Sequence, residues 1–464
     1  MSSTPVYVPP EELARQREAA EAFAALADRP HSFFIVTYGC QMNAHDSEKL
    51  AGMLGEMGLT EAPDREQADL VLFNTCCIRD NAERRALGNV IWLKELKKKR
   101  PGLLIGVCGC MMQQPELARR LLAQYPFIDF AFGTHNQHRL PTIVANVLTQ
   151  RRQQVEITND ELLISEGLPV KRLNDYKAYL TIMYGCNNYC SYCIVPYVRG
   201  RERSRRMDDI LREAEGLLAS GVREVMLLGQ NVNSYGDSPA DFPTLLRRLD
   251  ALGVPRIRFM TSHPKDLSDE LIAAMADCKR VCHHLHLPVQ SGSTEILARM
   301  NRRYTREHYL ARVAALRAAV PDIGLTTDFI VAFPGETEAQ FADTLSLARE
   351  VRYDAAFTFI YSPRKGTKAA EMPGQILPEI ATERIERLIR EVEAGTEAVH
   401  RSLIGATESV LVEALSRRDE RMVSGKGLRN ITVSFAGDAS DIGRIVPVRI
   451  TSAAANTLRG ERIL

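Results

Sequence analysis

From residue 31 to about residue 361, short apolar runs alternate with longer amphipathic stretches, and few folds accommodate that alternation. The runs have the length of strands and the stretches that of helices. Strand–helix units in series join parallel strands through crossover helices. In the first part, HSFFIVTYGC, ADLVLFNTC, LLIGVCGC and FIDFAFGT are the strands. DSEKLAGMLGEMG, AERRALGNVIWLKELKKK and PELARRLLAQY are the helices between them. This predicts an open parallel α/β sheet over residues 31–148, behind a helical leader at 1–30. The polar, weakly patterned stretch 149–171 reads as a linker. Alternation resumes with AYLTIMYGC, EVMLLGQ, RIRFMTS, HHLHLPV, GLTTDFIVAF and AAFTFIYS. Six such units predict a partial (β/α) barrel over 172–402. SVLVEAL, NITVSF and RIVPVRIT are short β-rich runs, and they predict a small all-β barrel over 403–464. The fold class is therefore α/β, with a small all-β barrel at the C-terminal end.

Ten cysteines in 464 residues are too few for a disulfide scaffold, and they are clustered. The first thirty residues include acids and no long apolar core, so they do not read as a secretory signal. No run of eighteen apolar residues occurs, so no membrane span is expected. A cytoplasmic setting follows, where paired cysteines read as metal ligands or catalytic thiols before disulfides. The net charge is +1, so any nucleic-acid contact must come from local basic patches.

The sharpest chemical signal is GCNNYCSYC, which spaces Cys186, Cys190 and Cys193 as CxxxCxxC just past the first strand of the middle domain. Barrel chemistry gathers at the C-terminal ends of strands. Thiolates suit iron–sulfur clusters and zinc. A structural zinc site closes with four ligands, and a 4Fe–4S electron carrier also takes four cysteines. This loop offers three. Three thiolates on a four-iron cube leave one iron open to chelate a small molecule, which is the radical S-adenosylmethionine arrangement. The rival is a zinc loop completed by a distant cysteine or histidine. In the first domain Cys40, Cys76 and Cys110 each end a strand. Ligands of open α/β sheets collect outside the carboxyl ends of strands, so three thiols arriving there could share one cluster. Cys77, Cys108, Cys278 and Cys282 read as structural.

TYGCQMNAHDSE, NTCCIRDNAERR, GCMMQ and YGCNNYCSYCIVPYVRGRERSR resemble the cluster motifs of the radical S-adenosylmethionine methylthiotransferases, of the tRNA-modifying MiaB type. LLGQNVNSYG, TSHPKDL, LPVQSGS, MNRRYT, DFIVAFPGET and YSPRKGTKAA extend the likeness, which runs from residue 31 to the end. The resemblance implies an auxiliary 4Fe–4S cluster on Cys40, Cys76 and Cys110. It implies a radical 4Fe–4S cluster on Cys186, Cys190 and Cys193. It also implies Tyr192 on the adenine of the cofactor. The activity implied is insertion of a methylthio group at C2 of N6-isopentenyladenosine at position 37 of tRNA. That uses two S-adenosylmethionine molecules, with sulfide as the sulfur source. The implied partners are the tRNA anticodon stem-loop and an electron donor such as flavodoxin or ferredoxin, with the chain a monomer.

Within the family, the substrate could instead be threonylcarbamoyl adenosine or a ribosomal protein. QMN after Cys40 resembles the tRNA branch. An RNA-binding protein with a structural metal, or an electron carrier, are the readings from other classes. No side chain is assigned as general acid or base. Ala332 stands where the family carries glycine. The last barrel resembles a TRAM domain, though SGKGLRNITVSF is less basic than is usual there.

Arg199, Arg201, Arg203, Arg205 and Arg206 crowd RGRERSRR beside a single acid, Glu202. Guanidinium forks match phosphate oxygens, so this string is expected on RNA, with Arg199, Arg201, Arg203 and Arg205 as contacts. KELKKKR reads as a helix end whose cations complement the dipole. The region from Leu403 onward holds nine Arg and Lys against seven acids, so it is only mildly basic. Gln230 and Asn231 end a barrel strand and are expected near the methionine part of the cofactor. His283, His284 and His286 read as polar lining of the barrel rather than metal ligands.

Overall fold

The computed structural model describes residues 6–77, 80–158, 163–416 and 419–463. The chain forms two compact units. One comprises residues 1–173, 184–187 and 193–205, and the other 174–183, 188–192 and 206–464.

In the first unit six parallel strands lie in the order Thr60–Glu61, Ser32–Thr37, Leu70–Thr75, Leu104–Gly109, Phe130–Phe132 and Gln154–Glu156. The two central strands, Leu70–Thr75 and Leu104–Gly109, are buried throughout. Both faces are covered, as all-parallel sheets require. Side chains alternate along Leu70–Thr75. Val71 and Phe73 enter one apolar cluster with Val90, Leu93 and Leu121. Leu70 and Leu72 enter another with Leu50, Leu54 and Ile143. The leader forms the helix Pro10–Ala24, and its Ala20 and Phe23 join that second cluster. The stretch expected as a linker contributes the edge strand Gln154–Glu156, paired in parallel with Phe130–Phe132. An edge strand of three residues carries too little apolar pattern to stand out from a loop.

The second unit begins with three parallel strands, Lys177–Thr181, Glu224–Leu228 and Arg256–Phe259. Three more, His284–His286, Gly324–Val331 and Ala355–Ile360, form a second parallel set. A bridge from Ile257 to Val281 leads from one set toward the other. The six make an open (β/α) arc, and its Leu180, Val225, Ile257, Leu285, Leu325 and Phe329 pack with Ile210, Leu245, Leu271, Val313 and Leu345 of the helices in one apolar cluster. Four of the helices start at side-chain caps. Asp241, Ser268 and Thr305 each accept an N–H from the first turn, and Thr337 with Gln340 forms a capping box. The long helix Pro378–Ser402 leads to five strands that close into a barrel: Thr407–Leu415, Met422–Lys426, Thr432–Ala436, Ile445–Ala453 and Thr457–Arg462. The fold is thus α/β with a terminal all-β barrel, as the periodicity predicts.

Within this unit the terminal barrel is clamped to the arc by buried charge. Arg258 donates to Gly427 O at 3.1 Å and Leu428 O at 3.3 Å, and Arg256 donates to Lys426 O at 2.9 Å. Glu224 lies beneath them, 1% exposed, with its carboxylate 3.2 Å from Arg258 Nη2 and 3.5 Å from Lys177 Nζ. Burial would raise its pKa, but Arg258 and Lys177 hold it below the usual carboxylate range. The segment SGKGLRN is therefore committed to the arc, which accounts for its being poor in exposed cations.

Removing one partner of a buried pair costs about 3–5 kcal/mol, because the other charge is left uncompensated. Glu224→Gln is expected to loosen the terminal barrel. Hydrogen exchange of its strands should accelerate by on the order of a hundredfold, checked by mass spectrometry. Because the folded pKa of Glu224 is depressed, the clamp contributes fully above the unfolded pKa. It weakens as pH falls through the folded value.

Candidate metal centres

Cys40, Cys76 and Cys110 follow three neighbouring strands of the first sheet, at their carboxyl ends. Cys40 is the N-cap of the helix Gln41–Glu56 and is exposed, while Cys76 and Cys110 are 2% and 1% exposed. Tight turns deliver them. Gly39 has φ +112°, and a Cβ there would stand 2.7 Å from Cys76 Cβ and 3.0 Å from its Sγ. Gly109 has φ +93°, and a Cβ would meet Thr75 O at 2.4 Å. Only glycine takes these conformations without cost.

Burial pushes the Cys110 thiol up to about 12; Arg199 opposes this, and the Cys76 and Cys40 thiols raise it further. Cys110 thus lies within electrostatic reach of both other thiols. Among the described residues no three Cys, His, Asp or Glu side chains stand close enough to hold a single metal ion. A four-iron cube spreads its ligands more widely than one zinc at about 2.3 Å does, so thiols arriving from three strand ends suit the larger group. Three soft donors fit an iron–sulfur cluster. Cys77 and Cys108 enter the two apolar clusters on opposite faces of the sheet.

The arginine string behaves differently from its expected role on RNA. Arg199, Arg203 and Arg205 are 5%, 6% and 5% exposed, and burial leaves them no surface for phosphate. Arg199 donates to Asn43 Oδ1 at 2.6 Å and to Cys110 Sγ at 3.2 Å, and it pairs with Asp46 at 2.7 Å. Arg205 forks onto both oxygens of Glu166 at 2.6 Å. Arg203 donates to the carbonyls of Arg199 and Arg201 and lies over the Tyr184 ring. Arg201 alone of the four is exposed. Their partners Asp46 and Glu166 are remote in sequence, so a local count of charge cannot see them. Asn43 and Asp46 went unrecognised as well. They sit three residues apart on the helix after Cys40 and therefore share a face.

In the loop after Thr181, Cys186 and Cys193 belong to the first unit and Cys190 to the second; all three are half-buried. Cys186 N–H donates to Gly200 O at 3.1 Å. In the second unit Asn301 Nδ2 donates to Asn188 O and Tyr189 O, and Ser191 N–H donates to Met300 O. Arg302, 5% exposed, reaches Cys190 Sγ at 3.6 Å. Tyr192 packs beside Ile296, Met300, Phe333, Tyr361 and Ala369. Gln230 is half-buried past the end of Glu224–Leu228. Asn231 is buried, donates to Asp266 at 2.8 Å, and leaves its amide oxygen without a hydrogen bond. His284 and His286 both meet Thr326 Oγ1 at 3.0 Å. Ala332 has φ +58°, a left-handed conformation costly for alanine; its difference from glycine is one of backbone strain. Its N–H donates to Glu336 Oε2 at 2.8 Å.

Residues 32–133 match uncharacterized protein family UPF0004, residues 180–348 the radical SAM superfamily, and residues 401–463 the TRAM domain. The tRNA-2-methylthio-N(6)-dimethylallyladenosine synthase of Alkaliphilus oremlandii is 49% identical over 463 residues, 99% of this chain and 98% of the relative. The chain belongs to that synthase family. The synthase of the same name from Clostridium perfringens is 50% identical over 433 residues, 92% of this chain and 97% of the relative. In fold, the chain is similar to the radical S-adenosylmethionine methyltransferase TsrM from Kitasatospora setae. The TM-score is 0.55 at 15% identity, over 73% of this chain and 77% of that one. Membership makes this chain a radical S-adenosylmethionine enzyme of methylthio transfer, with a 4Fe–4S cluster among its cofactors. Among the described residues no helix is long and apolar enough to cross a membrane.

Proposed function

We propose that this chain inserts a methylthio group at C2 of N6-isopentenyladenosine, at position 37 in the tRNA anticodon loop. The observation that carries the reading is full-length identity near 50% to synthases of that name. Two clusters are assigned, an auxiliary one on Cys40, Cys76 and Cys110 and a radical one on Cys186, Cys190 and Cys193. When bound, they supply the electron that cleaves S-adenosylmethionine and the sulfur that is transferred. An aromatic C–H bond is inert to ordinary acids and bases, so the cofactors carry the hard chemistry.

The chain's own residues hold and orient. Three strand ends present the auxiliary thiols, and Gly39 and Gly109 make the turns. The Tyr192 ring, backed by Met300 and Phe333, is a platform for the adenine of the cofactor. Asn231, with its unpartnered amide oxygen, is an acceptor for the methionine ammonium. Arg444, Arg449 and Arg459 on the terminal barrel are exposed and give an RNA backbone cations to meet. Sulfide is the sulfur source, and a flavodoxin or ferredoxin the reductant. The enzyme works as a monomer in the cytoplasm.

The test is anaerobic turnover of the reconstituted enzyme with isopentenylated tRNA, followed by mass analysis of the nucleosides. Appearance of 2-methylthio-N6-isopentenyladenosine is the expected result. Methylthio product only on threonylcarbamoyl adenosine, or only on a ribosomal protein, would replace the substrate named here.

A further inference from the structure

Two buried guanidiniums share an unusual placement. Arg199 Nε lies 3.2 Å from Cys110 Sγ, and its Nη2 is held by Asn43 Oδ1 at 2.6 Å and Asp46 Oδ2 at 2.7 Å. Arg302 Nη1 lies 3.6 Å from Cys190 Sγ; its Nη2 is fixed on Pro288 O at 2.6 Å, and its Nε on Tyr304 Oη at 2.9 Å. Each is 5% exposed. Each points one N–H at one sulfur while at least one other of its nitrogens is held by interior groups. One belongs to the first unit and one to the second, so the arrangement arises twice from unrelated stretches of chain.

We propose that Arg199 and Arg302 are positioning residues. Each donates a hydrogen bond to one cysteine ligand of one cluster and sets that cluster's reduction potential. The proposal rests on the cysteine assignment made above. Cluster potentials follow net charge and hydrogen bonds to sulfur. Reduction takes one electron from an external donor and takes a 4Fe–4S core from the 2+ to the 1+ state. No proton moves, since guanidinium stays protonated throughout. The reduced cluster carries one more negative charge beside a fixed cation in a desolvated site, so the cation favours the reduced form. Without it the electron is harder to add.

The experiment uses the full chain, reconstituted anaerobically and titrated with dithionite, with the reduced clusters followed by electron paramagnetic resonance. Two parents isolate the clusters: one carries Cys186→Ala, Cys190→Ala and Cys193→Ala together, and the other Cys40→Ala, Cys76→Ala and Cys110→Ala. In the first parent, Arg199→Met is expected to disfavour reduction at least tenfold, a downward shift of 59 mV or more for one electron. Arg302→Met should leave that potential unchanged. In the second parent the two substitutions should exchange effects. Arg199→Lys and Arg302→Lys keep the charge and should recover most of each shift.

Unchanged potentials with intact clusters would overturn the proposal. So would equal shifts of both clusters by either substitution, or loss of a cluster in the Met and Lys variants alike, which would make the arginine a folding element. If instead a cysteine parent keeps its full iron content, the ligand assignment fails, and that is visible before any arginine is changed.

Discussion

Replacing Cys190 with alanine is expected to abolish cleavage of S-adenosylmethionine and to halve the iron, from about eight atoms per chain to about four. The size of the effect follows from the number of ligands. A cube held by three thiolates has no spare protein ligand; with two it is exposed at two corners and is lost. In the assignment proposed above the cluster is both the electron source and the anchor of the cofactor, so no other side chain takes over. The neighbouring donor, Arg302, is a cation and cannot ligate iron. Cys282→Ala is the matched control. Cys282 is 1% exposed, and its loss should change stability modestly and leave iron and cleavage unchanged. Iron analysis and the yield of 5′-deoxyadenosine under dithionite check both variants. A full iron content in the Cys190 variant would remove the cysteine from the ligand set, and zinc in place of iron would remove the radical chemistry.

Cys76→Ala is expected to separate the two halves of the reaction. Methylthio product should fall below detection, while S-adenosylmethionine is still cleaved and about four irons remain. Cys76 follows the wholly buried central strand Leu70–Thr75, and Gly39 packs against its Cβ. Substitution by alanine removes the sulfur and leaves the backbone that shapes the turn. Cys77→Ala, one residue on, is the discriminating control. Cys77 enters the apolar cluster of Val71, Phe73 and Ile105, so the cost should be about 1 kcal/mol of stability with product formation retained. Loss of product in both variants would point to damage of the strand end rather than to a missing ligand.

The three buried arginines show where local reading of a sequence stops. RGRERSRR is a dense basic string directly after the cysteine loop, and that pairing of charge and position points to phosphate. Whether a guanidinium meets solvent or an interior acid depends on residues far away in the chain. Asp46 and Glu166 supply those acids to Arg199 and Arg205. SGKGLRN is the converse case. It is less basic than is usual in a TRAM domain, which reads as a weaker RNA grip, whereas its carbonyls accept hydrogen bonds from Arg256 and Arg258 of the arc.

By itself the sequence determined the alternation of strands and helices, the closed β-barrel after the helix Pro378–Ser402, and the delivery of Cys40, Cys76 and Cys110 to strand ends. These properties are periodic or local: apolar spacing fixes strand and helix, and the residue after a strand is at its end whatever the packing. Tertiary structure alone decided that Gln154–Glu156 joins the sheet, that Arg199 and Arg302 each turn a donor toward a cysteine sulfur, and that Glu224 locks the terminal barrel to the arc. Each of these joins residues distant along the chain, and the free energy of such a contact depends on burial, which no local window of sequence contains.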